Sequence, residues 1–368
     1  MEVQREPVRV AVIFGGRSSE HAVSCLGAGS VLKVIDRAKY DVVPIGIAKD
    51  GRWVLASEGQ RYELEGTVLP TVDEAGAELA LPSTPGGLTV LTPGSPPRVL
   101  TKVDVVFPVM HGPFGEDGTI QGLLEMAGIR YVGSGVLASA VGMDKAFMKM
   151  VLAQAGLPVG PHLVVSERAW RLERKRVVDD VDELGYPVFV KPARAGSSQG
   201  ISKARDRGEL EAAVEHAREH DPKVLIEKAI VGREIECAVL ESLGDDPPET
   251  SIPGEVLVGG DHEFYDFDAK YIGEDMTLVA PADIPAEVAE QVRGMAARAF
   301  AALGCEGLSR VDFFYTDSGE LILNEINTMP GFTDASIAPQ LWAASGLPYP
   351  DLVDRLIQLA LDRPSGLR

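Results

Sequence analysis

The sequence predicts an α/β domain with a parallel sheet at the N-terminus, followed by α+β structure in the rest of the chain. Near the N-terminus, short apolar strands alternate with helical patterns: the strand Val8–Phe14 precedes a helix that extends to about Ile35. This alternation is typical of parallel sheets. Farther along, successive strand patterns are joined by turns, which favours antiparallel pairing. The 368 residues are enough for two or three domains with cores of their own.

The N-terminal part continues with two more strands and a helix. The strands are predicted at Asp41–Ile47 and Val103–Val109, and the helix at Thr119–Ala127. The intervening segment Ala56–Arg98 differs, because it is rich in Pro, Gly and Thr and alternates only weakly. We expect this segment to be irregular or rich in β-structure.

Hydrophobic periodicity predicts the elements of the remaining chain. Helices are predicted at Lys145–Ala155, Gly208–His220 and Ala286–Leu303, and strands at Leu184–Ala193, Val224–Lys228, Arg233–Leu240, Ile252–Val258 and within Arg310–Asn327. The Gly- and Pro-containing segment Gly156–Pro161 ends the first of these helices. The strands of this part are expected to form antiparallel sheets.

Composition excludes several classes of function. The net charge of −20, without a cluster of Lys and Arg, argues against binding of nucleic acid. Three widely separated cysteines, Cys25, Cys237 and Cys305, predict small buried residues in a reducing compartment. The sequence contains neither a signal-peptide pattern nor an apolar run of the roughly 20 residues that span a bilayer. We therefore expect a cytoplasmic protein that does not bind membranes.

The hairpin Arg310–Asn327 carries the most informative pattern. Both strands alternate polar and apolar residues around a Gly-containing turn. Period two places Arg310 and Asp312 on one face of the first strand, and Glu325 and Asn327 likewise share a face of the second. If these faces coincide, their oxygen ligands favour Mg²⁺ with bound phosphate. The alternative is a surface hairpin with solvated acids.

Two loops have the composition of anion-binding segments. In Lys191–Gly200, a Lys at a strand end precedes a loop rich in Gly and Ser, whose N–H groups and hydroxyls can close over phosphates. A flexible connector is the alternative for this loop. Directly after the hairpin, Met329–Thr333 predicts a tight turn with exposed backbone N–H groups, which can hold an anion.

Three further features allow either a structural or a functional interpretation. Glu20 follows the first strand, where it either complements the helix dipole or meets a ligand ammonium. The neighbouring Gly15–Gly16 pair lacks the GxGxxG pattern of dinucleotide sites. Glu234 alternates with apolar residues, as on a solvated strand face. The aromatic segment Glu263–Tyr271 is either a lid that packs over a ligand or a rigid surface loop.

Together these segments resemble the D-alanine–D-alanine ligase family of the ATP-grasp superfamily. The matching motifs are GGRSSEHAVS at Gly15–Ser24, HGPFGEDG at His111–Gly118, MDK at Met143–Lys145, KPARAGSSQG at Lys191–Gly200, EKAIVGRE at Glu227–Glu234, YDFDAKY at Tyr265–Tyr271, and RVD…NEINTMPGFTDAS from Arg310 to Ser336. The resemblance implies an ATP-grasp fold. Its N-terminal α/β substrate-binding domain would cover residues 1–133, and two α+β lobes at 134–229 and 230–368 would clasp ATP. The segment Ala56–Arg98 matches no motif.

The resemblance also implies roles for individual residues. For ATP, the implied contacts are Lys145, Lys191 and Lys270 with the phosphates, Glu227 and Lys228 with the adenine, and Glu234 with the ribose. The implied ligands of two Mg²⁺ ions, which Mn²⁺ can replace, are Asp312, Glu325 and Asn327. The implied contacts of the amino-acid substrates and of the oxyanion formed from them are Glu20, Ser197, Tyr271, Arg310, the Gly331 N–H and Ser336.

The implied reaction joins two D-alanine molecules with ATP, through a D-alanyl phosphate, for peptidoglycan precursor synthesis. The implied assembly is a homodimer. A D-alanine–D-lactate ligase is the nearest alternative, and Tyr271 after Lys270 favours the dipeptide-forming branch over it. A nucleotide-binding regulator without catalysis is a second alternative, and the intact metal-ligand positions argue against it.

Overall fold

The computed structural model of the chain describes residues 7–56, 62–64, 66, 68–73, 75–80, 89–91, 98–99, 102–197, 199–259 and 276–364. In this part of the chain, one mixed sheet near the N-terminus precedes two antiparallel sheets. The predicted order of an α/β region followed by α+β structure is therefore confirmed. Among the helices of the described residues, none combines the length and the apolar character that crossing a membrane requires.

The N-terminal sheet has eight strands in the order β6-β5-β4-β3-β2-β1-β7-β8. They are β1 Val8–Gly15, β2 Tyr40–Ile47, β3 Trp53–Leu55, β4 Glu78–Ala80, β5 Thr89–Leu91, β6 Arg98–Val99, β7 Val105–Val109 and β8 Arg130–Tyr131. Strands β2, β1, β7 and β8 are parallel, and β3 to β6 continue the sheet antiparallel. The described parts of Ala56–Arg98 thus bear out the β-rich alternative.

Strand β1 lies at the centre of this sheet and is covered on both faces. Val10, Val12 and Phe14 pack into one hydrophobic cluster, and Ala11 and Ile13 pack into another. A parallel strand covered on both faces requires a continuous apolar run instead of alternation. This requirement explains why the sequence VRVAVIF forms a strand here.

Ten helices lie in the described residues. They are α1 His21–Val34, α2 Thr119–Met126, α3 Val136–Met143, α4 Lys145–Gln154, α5 Glu167–Leu172, α6 Arg174–Leu184, α7 Arg207–Arg218, α8 Ala286–Leu303, α9 Ile337–Ala344 and α10 Tyr349–Asp362. The start of α4 is fixed by Asp144, whose Oδ1 accepts hydrogen bonds from the backbone N–H groups of Ala146 (3.2 Å) and Phe147 (3.3 Å). This N-cap places Lys145 at the first helical position.

The central sheet has the strand order β11-β10-β12-β9. Its strands are β9 His162–Val165, β10 Val188–Pro192, β11 Ser202–Ala204 and β12 Val224–Lys228. The strand predicted from Leu184 begins only at Val188, because α6 continues to Leu184. Gly185, with φ of +86°, follows as the residue that ends this helix.

The C-terminal sheet is antiparallel and has the order β16-β15-β13-β17-β18, with β14 paired to β13. Its strands are β13 Arg233–Leu240, β14 Glu249–Thr250, β15 Gly254–Val258, β16 Met276–Val279, β17 Leu308–Tyr315 and β18 Leu321–Asn327. The predicted strand Arg233–Leu240 is confirmed, and the one predicted from Ile252 begins at Gly254. Leu323 joins the C-terminal sheet to the segment before β9, since its N–H donates to the Pro158 carbonyl at 2.8 Å.

Candidate active site

A cavity of about 680 Å³ lies where the loops of the N-terminal domain, the central sheet and the C-terminal sheet meet. It is lined by all the predicted site residues that the structure describes: Glu20, Lys145, Lys191, Ser197, Glu227, Lys228, Glu234, Arg310, Asp312, Glu325, Asn327, Gly331 and Ser336. The other two, Lys270 and Tyr271, lie outside the described residues, as does the whole predicted lid. Residues far apart in sequence therefore converge on one space large enough for a nucleotide and small substrates.

The hairpin β17–β18 contributes the acidic floor of the cavity. Arg310 pairs with Asn327 and Asp312 pairs with Glu325, so the two polar strand faces coincide as the sequence analysis required. A β-bulge follows, because Phe313 pairs with Leu323 and leaves Asn324 unpaired in the ladder.

A third carboxylate, Glu236, belongs to the same row. It pairs with Asp312 from the neighbouring strand β13 and is 3% exposed. The sequence alone assigns Glu236 no role, because the pairing of β13 with β17 is not visible in the sequence. Three acids thus lie side by side across three strands.

The guanidinium of Arg310 lies between two of these acids. Its Nε is 2.8 Å from Oδ1 of Asp312 and 2.8 Å from Oε2 of Glu236, and its Nη2 is 2.7 Å from Oδ2 of Asp312. This guanidinium and the ammonium of Lys145, which lies near Glu325, are two positive charges against three carboxylates, so the face keeps a net negative charge. An all-oxygen ligand set of this kind fits Mg²⁺ or Mn²⁺ better than zinc.

Two lysines lie opposite this acidic face. Lys145 donates through Nζ to the Ala195 carbonyl at 3.0 Å, and its Nζ lies 3.7 Å from Oε2 of Glu325. Lys191, at the end of β10, has its Nζ 2.6 Å from Oε2 of Glu227. Both ammonium groups are mostly buried, so their charges act strongly on any anion that enters the cavity.

Glu227 is enclosed by two ammonium groups. Its Oε1 lies 2.7 Å from Nζ of Lys149, and its Oε2 faces Lys191. Burial raises the pKa of Glu227, but the charges of Lys191 and Lys149 outweigh this effect and hold the pKa below its usual range. Sequence reasoning did not single out Lys149, although its position four residues after Lys145 on α4 was a signal for a second lysine on the same helix face.

Glu20 lines the cavity just before α1. It is 4% exposed, and Ser197 donates a hydrogen bond to its Oε1. Its Oε2 is buried without a hydrogen-bond partner among the described residues. A Cβ at Gly112 would lie 2.3 Å from this oxygen, and one at Gly196 would lie 2.6 Å from it. A side chain at either position would therefore displace the Glu20 carboxylate, and the unsatisfied oxygen fits a ligand ammonium.

The segment His111–Gly118 adds two buried titratable groups that the sequence analysis matched only as a motif. His111 Nδ1 lies 3.1 Å from the Met329 carbonyl, and its Nε2 has no hydrogen-bond partner among the described residues. Burial lowers the pKa of His111, which the nearby charge of Glu20 only partly offsets. Burial, followed by the negative charge of Glu20, raises the pKa of Glu116 to about 8. At neutral pH the imidazole is therefore neutral and Glu116 is mainly protonated.

The turn after β18 closes the cavity beside α9. Ser336 accepts a hydrogen bond from the Thr333 N–H at 3.0 Å, and its Oγ lies 2.8 Å from Thr333 Oγ1. The Asn327 Oδ1 accepts from the Met329 N–H at 2.9 Å, which fixes the start of the turn. At Gly331 a Cβ would lie 3.2 Å from Ser336 Oγ, so a side chain there would crowd the hydroxyl.

Comparison with known proteins gives one consistent result over the chain. Residues 9–134 match the family model described as D-ala D-ala ligase N-terminus, and residues 151–358 match D-ala D-ala ligase C-terminus. The D-alanine–D-alanine ligase of Arthrobacter sp. (strain FB24) is 60% identical over 365 residues, which cover 98% of this chain and 96% of that protein.

Two solved structures share the fold. The D-alanine–D-alanine ligase from Coxiella burnetii is similar with a TM-score of 0.81 and 35% identity, covering 98% of this chain and 95% of that one. The VanG D-Ala:D-Ser ligase from Enterococcus faecalis is similar with a TM-score of 0.82 and 36% identity, covering 96% of this chain and 100% of that one.

Proposed function

The chain belongs to the D-alanine–D-alanine ligase family of ATP-grasp enzymes, and we propose that its cavity joins two D-alanine molecules into D-alanyl-D-alanine with ATP as the energy source. The reaction supplies the dipeptide for cell-wall peptidoglycan. The observation that carries the proposal for the site is the convergence of the thirteen described site residues on one cavity. The cavity combines the carboxylates of the hairpin, two nearby lysines and the buried carboxylate of Glu20, which suits a nucleotide, metal ions and an amino acid together.

The nucleotide lies between the central and C-terminal lobes in this proposal. Lys145 and Lys191 meet its phosphates, because their buried ammonium groups lie opposite the acidic row. Glu227 and Lys228 border the adenine, and Glu234 borders the ribose. Since both carboxylate oxygens of Glu227 already face lysines, this position meets the adenine through its backbone.

Asp312, Glu325 and Asn327 would hold two Mg²⁺ ions, for which Mn²⁺ can substitute. The support is the hard-oxygen ligand set on one sheet face beside the two lysines. Metal ions held there would supply positive charge against the phosphates of the nucleotide. The chain's own part is to keep these ligands in one row and to exclude water.

The first step forms an acyl phosphate. Glu20 holds the ammonium of the first D-alanine through its unpartnered Oε2, and Ser197 fixes the other oxygen of Glu20. The D-alanine carboxylate attacks the γ-phosphorus of ATP, the bond to the bridging oxygen breaks, and ADP leaves. Tyr271, proposed to hydrogen-bond Ser197, and Lys270, proposed at the γ-phosphate, belong to the lid outside the described residues. A closed lid protects the acyl phosphate from hydrolysis.

The second step forms the peptide bond. Ser336 receives the carboxylate of the second D-alanine, and the amine of that substrate attacks the acyl carbon. Arg310 and the Gly331 N–H stabilise the oxyanion, and inorganic phosphate leaves. The second D-alanine attacks as the neutral amine, after its ammonium has released a proton to solvent.

The choice of second substrate is the nearest alternative. One structural neighbour is a D-Ala:D-Ser ligase, and a D-alanine–D-lactate ligase would need the same first step. A test compares ADP release with D-alanine alone, with L-alanine, and with D-alanine plus D-serine or D-lactate. Release with D-alanine alone and none with L-alanine supports the proposal. Release that depends on D-serine or D-lactate overturns the dipeptide assignment. No release under any condition favours the non-catalytic regulator.

The proposal includes an assembly, a location and a domain division. We expect a homodimer, the cytoplasm as the compartment that supplies ATP, and domains at 1–133, 134–229 and 230–368. Sedimentation measures the assembly directly. Proteolytic fragments test the division, since cleavage between packed domains is favoured over cleavage within them.

A further inference from the structure

Lys149 is a buried cation with contacts to two other segments of the cavity. It is 2% exposed and lies one helical turn after Lys145 on α4. Its Nζ lies 2.7 Å from Oε1 of Glu227 and donates a hydrogen bond to the Asn324 carbonyl at 2.8 Å. One ammonium group therefore joins α4 to β12 of the central sheet and to β18 of the C-terminal sheet.

The contact with Asn324 occurs at a specific point of β18. Asn324 is the extra residue of the β-bulge and directly precedes the proposed metal ligand Glu325. A bulge changes the direction of the neighbouring side chains, so its geometry must be fixed if a ligand is to point correctly. The same helix makes a second contact there, because the Ile326 N–H lies 3.3 Å from Sδ of Met148.

The contact with Glu227 extends to the phosphate side of the cavity. Glu227 holds Nζ of Lys191 at 2.6 Å through its other oxygen. Burial lowers the pKa of Lys191, but the charge of Glu227 outweighs this effect and raises the pKa. Lys149 thereby fixes the carboxylate that keeps Lys191 charged and in place.

We propose that Lys149 is a positioning residue that aligns the metal ligand Glu325 with the phosphate lysine Lys191. This inference rests on the proposed function of the cavity. Lys149 acts through Asn324 and Glu227. Its buried ammonium thereby fixes the spacing between Glu325 and Lys191 before the nucleotide binds. Partners outside the first coordination shell typically change metal affinity by 10–100-fold.

The experiment measures metal and nucleotide binding in Lys149→Met, whose side chain has a similar length but no charge. Mn²⁺ binding is measured by electron paramagnetic resonance, ADP binding by calorimetry, and the Mg²⁺ concentration for half-maximal rate by ADP release. Lys223→Met is the matched control. Lys223 pairs with Asp144, the N-cap of α4, and does not line the cavity among the described residues. The control therefore removes a lysine that supports the same helix but holds neither Asn324 nor Glu227.

We expect Lys149→Met to weaken Mn²⁺ binding and to raise the required Mg²⁺ concentration by about tenfold. The KM for D-alanine should change by less than about twofold, because Glu20 and Ser336 do not contact Lys149. Lys223→Met should lower the melting temperature and leave metal binding unchanged. Lys149→Arg should recover part of the lost metal affinity, since a guanidinium can donate to both partners.

Unchanged Mn²⁺ and ADP affinities in folded Lys149→Met would overturn the proposal, as would equal losses of affinity in the Lys223→Met control.

If Lys149→Met does not fold, Lys149→Gln is measured in its place, and the same two outcomes would overturn the proposal. A second criterion comes from combining Glu227→Gln with the Lys149 variant and comparing the double variant with the two single variants. Independent losses that simply add contradict the proposed coupling between Lys149 and Glu227. Since Mn²⁺ and ADP binding need no turnover, they remain decisive even if the wild-type protein fails to ligate D-alanine.

Discussion

Asp312 and Glu325 lie directly opposite each other on the two strands of one hairpin, so their carboxylates share the face that lines the cavity. Directly opposed like charges destabilise a sheet unless a cation compensates them. In the structure Arg310 compensates Asp312, and Lys145 lies 3.7 Å from Glu325. Together with Glu236, three carboxylates face one guanidinium and one ammonium, and the negative charge that remains is the physical argument for a metal site.

Replacing Glu325 tests this argument. Glu325→Gln has the same shape and should keep the fold, but it removes one anionic oxygen from the ligand set. We expect turnover to fall by at least about 100-fold, since even partners outside the ligand shell cost 10–100-fold. Glu320→Gln, in the exposed turn of the same hairpin, is the control and should have near-normal turnover. Near-normal turnover of Glu325→Gln at ordinary Mg²⁺ concentration contradicts the metal assignment.

Nucleotide binding should stabilise the folded chain. A ligand that binds only the native state adds about 2.7 kcal/mol at a concentration 100 times its Kd. The melting temperature should therefore rise with ATP and Mg²⁺, and rise less with GTP if the segment at Glu227 and Lys228 recognises adenine. Differential scanning fluorimetry measures both shifts. An absent ATP-dependent shift at millimolar nucleotide, with homogeneous folded protein, points to another function.

Glu116 should make stability depend on pH. Burial, with the nearby charge of Glu20, raises the pKa of Glu116 from 4.5 to about 8 in the folded state. Between these values the folded chain binds more protons at this group than the unfolded chain, so this contribution to stability falls as pH rises from about 4.5 to about 8. Below that window the contribution is constant.

Glu116→Gln removes this dependence. The melting temperature of the variant, relative to wild type, should therefore increase as pH is raised from 5 to about 8. Glu78→Gln, on an exposed position of β4, should show a constant difference over the same range. A constant difference for Glu116→Gln as well would mean that the carboxyl group is ionised in the folded protein.

The lid residues give a prediction for a segment outside the described residues. Tyr271→Phe removes one hydroxyl and should cost about 0.5–1.5 kcal/mol, a roughly two- to tenfold loss of kcat/KM. Lys270→Ala removes a charge proposed to meet the transferring phosphoryl group, and it should reduce kcat several times more than ATP affinity. Steady-state kinetics separate the two effects, and a kinetically silent Lys270→Ala would exclude a catalytic lid.

Local patterns predicted the hairpin floor of the site because its register is fixed by a short turn and by period two. The faces of Arg310, Asp312, Glu325 and Asn327 therefore coincide as expected. The pairing of Glu236 with Asp312 could not be predicted in the same way, since these residues are 76 positions apart in the sequence. Such a register depends on tertiary packing and not on local periodicity.

The buried ion pairs were also beyond prediction from the sequence. Lys149 and Glu227 lie on different elements that are distant in the sequence, and only the tertiary fold brings their charges within 2.7 Å of each other. The strand predicted from Leu184 began too early for a related reason. The apolar positions of α6 and β10 run together in the sequence, and Gly185 separates them only through its backbone conformation.

The proposed ligation is tested most directly by incubating the purified protein with ATP, Mg²⁺ and D-alanine and identifying the product by mass. We expect D-alanyl-D-alanine, with one ADP and one phosphate released per dipeptide, and no dipeptide from L-alanine. ADP release without a dipeptide, or a product formed only when D-serine or D-lactate is added, would overturn the proposed ligation.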